Sequence, residues 1–278
     1  MSIYVNSPNA LVVYGHVGFD VSTIAGSCSR TLGGAAYYAA LGAATHGVNV
    51  ELASVLGSDF PTEQLRHPRL DISSCIVGNG PAAVFAQTYD EDNNVIHLEA
   101  ELNVCTDLRP TLMPLEPLAP GAVMLTTAPP PQQMSALDWL RSREFDGLIA
   151  IDTALAYVGE FQALLSRTDL GIGLLFVNEA EYEHLAPSEI PSERVVVKRG
   201  AQGASLLERG AWTHVSAPAV KHVSTVTGAG DVLAGAFLAS HLNGQSSVRS
   251  LEEAVTLASS YVENGPECFF RDAKGKSG

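Results

Sequence analysis

The sequence has 278 residues, of which 46% are hydrophobic and 17% are charged, and its formal net charge is −14. This balance predicts a folded domain with an apolar core and excludes an intrinsically disordered chain. A surface with that charge repels a phosphate backbone, which argues against nucleic-acid binding. No apolar run reaches the roughly 18 residues that a transmembrane helix needs, and the four cysteines form no C-x-x-C pair. We expect a cytoplasmic protein without membrane contact and without a structural zinc site.

Strand-like and helix-like segments alternate along the chain. An apolar run at residues 11–14 predicts a buried strand, and the Ala-rich stretch at 35–44 predicts the helix after it. Further strands are expected at 48–55, 122–125, 148–151, 174–177 and 195–197, and further helices at 132–141, 179–185, 230–242 and 251–261. Apolar strands between helices are typical of a mostly parallel sheet with helices on both faces. We therefore expect one α/β domain over residues 1–278.

One stretch breaks this alternation. Residues 83–89 and 95–98 are rich in strand-forming side chains and flank the polar residues 90–94. That pattern predicts an antiparallel hairpin. The hairpin would be an insertion in an otherwise parallel arrangement.

Polar side chains follow several of the predicted strands. Asp152, Asn178 and Lys198 each end an apolar run, and Asp20 and Glu181 follow shortly after others. Ligands of open α/β sheets bind beyond the carboxyl ends of the strands. Each of these residues alone is explained as the start of a loop, but together they indicate one ligand crevice.

Residues 225–237 carry the strongest chemical signal. Gly228 and Gly230 flank Ala229 just before a helix of small residues, and Asp231 lies in the first turn of that helix. A glycine-rich turn that enters a helix exposes main-chain N–H groups, and the helix dipole adds positive charge there. This arrangement favours a phosphate group. Asp231 is explained equally well as a charge that stabilises the helix N-terminus and as a general base.

These features together resemble the ribokinase-like (PfkB) carbohydrate kinase family. The run T-G-A-G-D at 227–231 resembles the second signature of that family. Residues that resemble other family motifs occur in the same order: the first strand with its substrate-binding aspartate at 15–20, the double glycine at 33–34, a glycine-acid turn at 57–59, N-x-x-E at 178–181, and the nucleotide-side strand and turn at 197–203. The resemblance spans residues 10–265. It implies a ribokinase-like α/β fold, with a mostly parallel central sheet flanked by helices and a small β lid.

The resemblance implies that the chain transfers the γ-phosphoryl group of ATP to a hydroxyl. By position in the family motif, Asp231 is the base that takes the acceptor proton. The amides of Gly228, Ala229 and Gly230 form the anion hole. Phosphoryl transfer needs positioning and charge stabilisation more than covalent chemistry, and these groups supply both.

The same resemblance implies the binding residues. Asn178 and Glu181 help to hold Mg²⁺, mostly through water. The residues on the nucleotide side are Lys198, Gly200, Thr227 and Gly265. The residues that hold acceptor hydroxyls are Asp20, Gly33, Gly34 and Tyr38. Without the motif, Glu181 would be explained as an exposed helix carboxylate and Lys198 as a solvated cation at a strand end.

The family usually has Asp where this chain has Thr225. The resemblance implies that this Asp helps to bind a monovalent cation beside the anion hole. Because a neutral Thr weakens such a site, we expect reduced dependence on K⁺. Strong activation in a potassium titration would contradict this expectation.

The sequence favours a small, neutral acceptor. Tyr37 and Tyr38 follow the double glycine in a G-G-x-x-Y-Y variant that resembles the inositol-kinase branch of the family, although a Tyr here also suits stacking on a nucleobase or packing in the core. Few basic residues lie in the acceptor segments, with Arg30 as the exception. We therefore expect a polyol or sugar kinase. The alternatives are a nucleoside kinase of the same fold and an inactive ligand-binding relative.

Only twelve residues separate Asp20 from Gly33. In larger relatives this gap holds lid strands. The expected lid is therefore small and consists of residues 21–32 and 83–98. Family members often pair through their lids, which makes a homodimer a possible assembly.

Overall fold

The computed structural model describes residues 8–24, 26–89, 95–165, 171–185 and 192–266. The polar turn expected at 90–94 lies outside these residues. The strands are β1 Ala10–Tyr14, β2 Gly18–Ile24, β3 Ser27–Gly33, β4 Asn49–Ala53, β5 Val55–Leu56, β6 Leu70–Asp71, β7 Ile76–Val77, β8 Ala83–Tyr89, β9 Val95–Glu101, β10 Ala122–Leu125, β11 Leu148–Asp152, β12 Ile172–Asn178, β13 Arg194–Lys198, β14 Ala204–Glu208 and β15 Ala211–Val215. The α-helices are α1 Ala35–Thr45, α2 Pro130–Ser142, α3 Val158–Leu165, α4 Glu179–His184, α5 Ala229–Leu242 and α6 Ser247–Asn264.

A nine-stranded sheet forms the centre of the molecule. Its strand order is β15-β14-β13-β12-β11-β10-β1-β4-β6. The pairings from β13 to β6 are parallel, whereas β14 and β15 add an antiparallel hairpin at one edge. The expectation of a mostly parallel sheet is confirmed. The antiparallel edge was not among the predicted elements.

Helices cover both faces of this sheet. Side chains alternate along β1, so Leu11 and Val13 pack into a core with α1, α5 and α6. Val12 and Tyr14 pack into a second core with residues of α2 and α3. Each fully buried Leu or Phe side chain contributes roughly 1.5–3 kcal/mol. The two cores pack against opposite faces of the sheet. The ends of its strands are therefore held in fixed positions, and side chains there can be placed accurately.

Glycines bring α1 and α5 into main-chain contact. A Cβ atom on Gly235 would lie 2.0 Å from the carbonyl oxygen of Ala39, and one on Gly42 would lie 2.5 Å from that of Val232. Larger residues would force the two helices apart. This close approach fixes α1 directly against α5.

A separate four-stranded sheet has the order β3-β2-β8-β9. Strand β2 pairs antiparallel with β3 and parallel with β8, and β8 pairs antiparallel with β9. The described parts of the expected lid segments, 21–32 and 83–98, lie in this sheet, which we call the lid sheet. Within the described residues, no helix is both long and apolar enough to cross a bilayer.

Candidate active site

The glycine-rich turn before α5 presents free main-chain amides. Gly228 takes a left-handed conformation with φ +79°, which favours glycine, and the helix begins at the next residue. Among the described residues, the amides of Gly228, Gly230 and Asp231 make no main-chain hydrogen bond. The amide of Ala229 donates to the carbonyl oxygen of Val226 at 3.2 Å. The N–H group of Ala229 is thus engaged by the turn in this structure, and its role as an anion-hole donor stays a prediction.

Asp231 lies half-buried in the first turn of α5. Burial raises the pKa of its carboxyl to about 8, and the nearby carboxylates of Asp152, Asp20 and Glu181 add to the rise. Lys198 acts in the opposite direction. A general base works best when its pKa lies near the operating pH. The environment of Asp231 therefore suits proton abstraction better than simple stabilisation of the helix N-terminus.

Lys198 forms a buried ion pair that the sequence did not predict. Its Nζ atom donates to both carboxylate oxygens of Asp152, at 2.9 and 2.7 Å, and Asp152 is fully buried. The main-chain amide of Thr153 donates to the same carboxylate at 2.9 Å. A Cβ atom on Gly230 would lie 3.6 Å from Nζ. Lys198 thus lies beside the predicted anion hole, and its interpretation as a solvated cation is wrong.

Asp152 was predicted at a strand end but was assigned no role in the site. It ends β11, as Asn178 ends β12 and Lys198 ends β13. These strands are neighbours in the sheet. Burial alone would lower the pKa of Lys198, but the neighbouring carboxylates, Asp152 foremost, raise it. The lysine is therefore held as a cation at this edge.

Asn178 and Glu181 form the N-terminal cap of α4. The side chain of Asn178 accepts from the Glu181 amide at 2.9 Å, and both carboxylate oxygens of Glu181 accept from Asn178, each at 2.7 Å. Glu181 is 3% exposed, so its interpretation as an exposed carboxylate is wrong. Burial raises its pKa to about 7, against the influence of Lys198. The two predicted metal ligands thus meet, already bonded to each other.

The charges suit a cation bound largely through water. Three carboxylates, those of Asp152, Glu181 and Asp231, interact with one ammonium group. Among the described residues, no three His, Cys, Asp or Glu side chains converge closely enough to chelate a metal ion. Because Mg²⁺ retains several of its waters in protein sites, the excess negative charge fits it without such a cluster.

The acceptor residues predicted from the double glycine also come together. The hydroxyl of Tyr38 donates to Oδ2 of Asp20 at 2.6 Å, and the amide of Gly34 bonds the same carboxylate. Burial raises the pKa of Asp20 to about 6, although both bonds oppose the rise. A Cβ atom on Gly33 would lie 2.3 Å from the carboxyl carbon of Asp20. Gly33 therefore leaves the space that Asp20 occupies.

Three residues expected on the nucleotide side have different surroundings. The Oγ1 atom of Thr227 lies 3.2 Å from Oγ of Ser22, so this hydroxyl faces the lid sheet. Gly265 ends α6, and a Cβ atom there would lie 3.2 Å from the hydroxyl of Ser224. Gly200 follows β13 with φ +53° and has open space beside its Cα.

Comparison with known proteins gives the same picture. The model of the pfkB family carbohydrate kinases matches residues 8–266. A cytidine kinase of Thermococcus kodakarensis is 30% identical over 266 residues, which cover 89% of this chain and 92% of that protein.

Solved structures with this fold are similar along nearly the whole chain. A nucleoside kinase of Burkholderia thailandensis in complex with inosine has a TM-score of 0.79 at 17% identity, covering 94% of this chain and 93% of that one. A ribokinase of Arabidopsis thaliana with ribose and ATP has a TM-score of 0.73 at 18% identity, covering 98% and 99%. The expected ribokinase-like fold is confirmed.

Proposed function

Since the chain belongs to the pfkB family of carbohydrate kinases, we propose that it transfers the γ-phosphoryl group of ATP to a ribose hydroxyl of a nucleoside. The family makes the chain a phosphotransferase with a hydroxyl acceptor. One observation carries the rest: free amides of Gly228, Gly230 and Asp231 open the helix whose first turn also holds a carboxylate of raised pKa. A nucleoside receives more support than the polyol or sugar expected from the sequence.

The relatives support this choice of acceptor. The T. kodakarensis protein, at 30% identity, is a cytidine kinase. We therefore place pyrimidine nucleosides first among the candidate acceptors. Polyols and free sugars remain the second class to test.

The lid sheet presents a neutral polar face toward this acceptor. Residues that pair directly across strands share a face. Thr31 and Phe85 pair with Asp20, and Ser29 and Gln87 pair with Ser22. Hydroxyls, one amide and one aromatic ring suit the sugar and base of a nucleoside. Asp20 would accept from the ribose hydroxyls, and the ring of Phe85 would pack on the base.

Arg30 does not add positive charge to that face. It pairs with Val21, so it lies on the opposite face from Asp20. Its guanidinium stacks over the ring of Phe19 at 3.8 Å and lies 3.9 Å from Asp59. This placement supports an acceptor that carries no phosphate.

The catalytic roles follow from position and charge. Asp231 removes the proton of the acceptor hydroxyl, which then attacks the γ-phosphorus as the bond to ADP breaks. The amides of Gly228 and Gly230 stabilise the charge on the transferring group, and the ammonium of Lys198 reinforces them. Asp152 holds that ammonium in place. Such donors are worth more in a dry site than in water.

The remaining predicted residues belong to the ATP and metal side of this proposal. Asn178 and Glu181 would hold Mg²⁺ through its waters, and that ion would neutralise charge on the phosphates. The main chain at Gly200 and Gly265 would border the nucleotide. Thr227 would orient the turn between nucleotide and acceptor, because its hydroxyl faces Ser22. Pairing of two chains through the lid sheet is a further proposal, which sedimentation would test.

A substrate panel tests the proposed function. Cytidine, uridine, adenosine, inosine, ribose and inositols would each be incubated with ATP and Mg²⁺, and product would be detected by mass. We expect phosphorylation of nucleosides, pyrimidines foremost. The Asp231→Asn variant serves as the matched blank, with kcat reduced about 10²–10⁴-fold while calorimetry still detects ATP.

Two results would overturn the proposal. Phosphorylation of inositols or free sugars at higher kcat/KM than any nucleoside would return the acceptor to the polyol or sugar class. Binding of nucleosides without any phosphorylation, identical in wild type and Asp231→Asn, would identify an inactive ligand-binding relative.

A further inference from the structure

Tyr38 lies between the acceptor carboxylate and the anion hole. Its side chain is 3% exposed, and its hydroxyl and its ring contact two different functional groups. The hydroxyl meets Asp20, at the start of the lid sheet. The ring meets Gly228, in the turn that opens α5.

The hydroxyl is committed to Asp20. A phenol has one proton to donate, and the distance to Oδ2 of Asp20 is 2.6 Å, against 3.2 Å to the carbonyl oxygen of Leu32. The shorter, charge-assisted bond is the stronger one. It fixes the rotation of the carboxylate and leaves Oδ1 turned away from the phenol. The acceptor would thus meet an already oriented carboxylate.

The ring of Tyr38 occupies the space beside Gly228. A Cβ atom on Gly228 would lie 2.3 Å from two ring carbons, so the turn rests directly on the aromatic face. The ring of Tyr261 packs edge-on against Tyr38, with centroids 6.0 Å apart. The hydroxyl of Tyr261 donates to the carbonyl oxygen of Thr227 at 2.7 Å. Two tyrosines therefore define where the anion-hole turn lies.

We propose that Tyr38 is a positioning residue that couples acceptor binding to the anion hole. Its hydroxyl orients Asp20 for the acceptor, and its ring holds Gly228 at a fixed distance from that carboxylate. Tyr38 therefore acts through Asp20 and Gly228, and its own hydroxyl does not bind the acceptor. The identity of the acceptor rests on the proposed function. The contacts of Tyr38 with Asp20 and Gly228 do not depend on which acceptor binds.

The coupling has two parts, the bond from the Tyr38 hydroxyl to Asp20 and the packing at the Gly228 turn, and variants that weaken one part at a time test it. Tyr38→Phe keeps the ring and loses the hydroxyl, so we expect the KM for the nucleoside to rise about 10-fold or more, since bonds to charged groups are worth that much. The kcat and the affinity for ATP should change less than twofold. Tyr261→Phe is the comparison variant, because it removes the bond to the Thr227 carbonyl oxygen and the contact with the Tyr38 hydroxyl but keeps the bond between Tyr38 and Asp20. There we expect a lower kcat with an unchanged acceptor KM.

Carboxyl ¹³C NMR supplies a readout that needs no turnover. The Tyr38 bond lowers the pKa of Asp20, so Tyr38→Phe should raise that pKa by about one unit, and Tyr261→Phe should leave it unchanged.

An unchanged acceptor KM together with an unchanged pKa of Asp20 in Tyr38→Phe would overturn the coupling. An equal fall of kcat, ATP affinity and thermal midpoint would also overturn it, because that pattern reports only lost packing. A wild-type enzyme that phosphorylates no nucleoside would overturn the proposed acceptor, whereas the NMR comparison would still decide the coupling.

Discussion

The two halves of the candidate site are built differently. The phosphoryl half consists of Asp152 and Lys198 at the strand ends of the main sheet, Glu181 in the first turn of α4, and Asp231 in the first turn of α5. Its side chains are charged and largely buried, and a two-oxygen ion pair holds Lys198 in place. The acceptor half consists of Asp20, Gly33 and Tyr38, with the lid-sheet face beyond them. That face is polar, neutral and partly open to solvent.

This difference suggests that one half of the site carries out phosphoryl transfer and the other half selects the acceptor. Charges at a rigid strand edge stabilise a transferring phosphoryl group whatever the acceptor is. Hydroxyls and one ring on a thin sheet can be exchanged without disturbing those charges. We infer that acceptor identity is set in the lid sheet, whereas rate is set in the phosphoryl half. Variants in each half should therefore have distinct kinetic signatures.

The largest effect is expected for Lys198→Met, in the phosphoryl half. Removing this cation should lower kcat by about 10²–10³-fold. Because Asp152 is then left buried without a partner, the free energy of unfolding should fall by about 3 kcal/mol. Steady-state kinetics and urea denaturation measure the two effects.

Glu179→Gln is the matched control for that variant. It breaks the neighbouring pair with Arg199, which spans 3.4 Å between side chains that are 48% and 35% exposed. An exposed pair contributes less than about 1 kcal/mol, so kcat and stability should barely change. A Lys198→Met enzyme with wild-type kcat would show that the ion pair is structural only.

A smaller effect is expected for Gly33→Ala, in the acceptor half. The added Cβ would lie 2.3 Å from the carboxyl carbon of Asp20 and must displace it. Because a displacement of about 1 Å costs roughly 10²-fold in rate, kcat/KM for the nucleoside should fall by that order, with the KM for ATP unchanged. Gly159→Ala, where no atom lies within 4 Å, is the control. A fall in ATP affinity equal to that of the nucleoside would contradict a separation of the halves.

The sequence predicted the parts of this site that depend on local chain geometry. The turn at Gly228 and Gly230 and the parallel strands both follow from short-range patterns, and the cap formed by Asn178 and Glu181 has a short-range pattern too, although it was not predicted. The family resemblance then placed these parts in one site. The predicted helix and strand ends differ from the observed ones by only a few residues in most elements.

Most of what the sequence missed depends on contacts between distant segments. Lys198 reaches Asp152 across the end of β12, and only the strand order brings the two together. The ring of Tyr38 lies against Gly228, a contact that its predicted role at the acceptor did not include. The amide of Ala229 is lost to a carbonyl three residues earlier, which depends on the detailed shape of the turn. The first two contacts join distant segments and have no short-range signature.

The smallest effect is expected for Asp231→Asn and concerns the free energy of unfolding, which the ionised carboxylate of Asp231 lowers. Its folded-state pKa is raised to about 8, so the folded form prefers the protonated carboxyl. The stabilising contribution of this carboxyl is therefore fully present at low pH and is lost as the pH rises through about 8. Asp231→Asn cannot ionise and escapes this loss. Its thermal midpoint in the absence of Mg²⁺ should exceed that of the wild type by about 3 °C at pH 9 and by less at pH 6.

Thermal unfolding of the two proteins across this pH range measures the difference. Asp107→Asn is the control, because its side chain is 72% exposed and its replacement should give no pH-dependent gain. If Asp231→Asn were no more stable than the wild type at pH 9, the carboxyl would not be strained by its neighbours, and its fitness as a base at neutral pH would need another cause. A gain that grows with pH would instead show that the phosphoryl half trades stability for a carboxylate able to accept a proton.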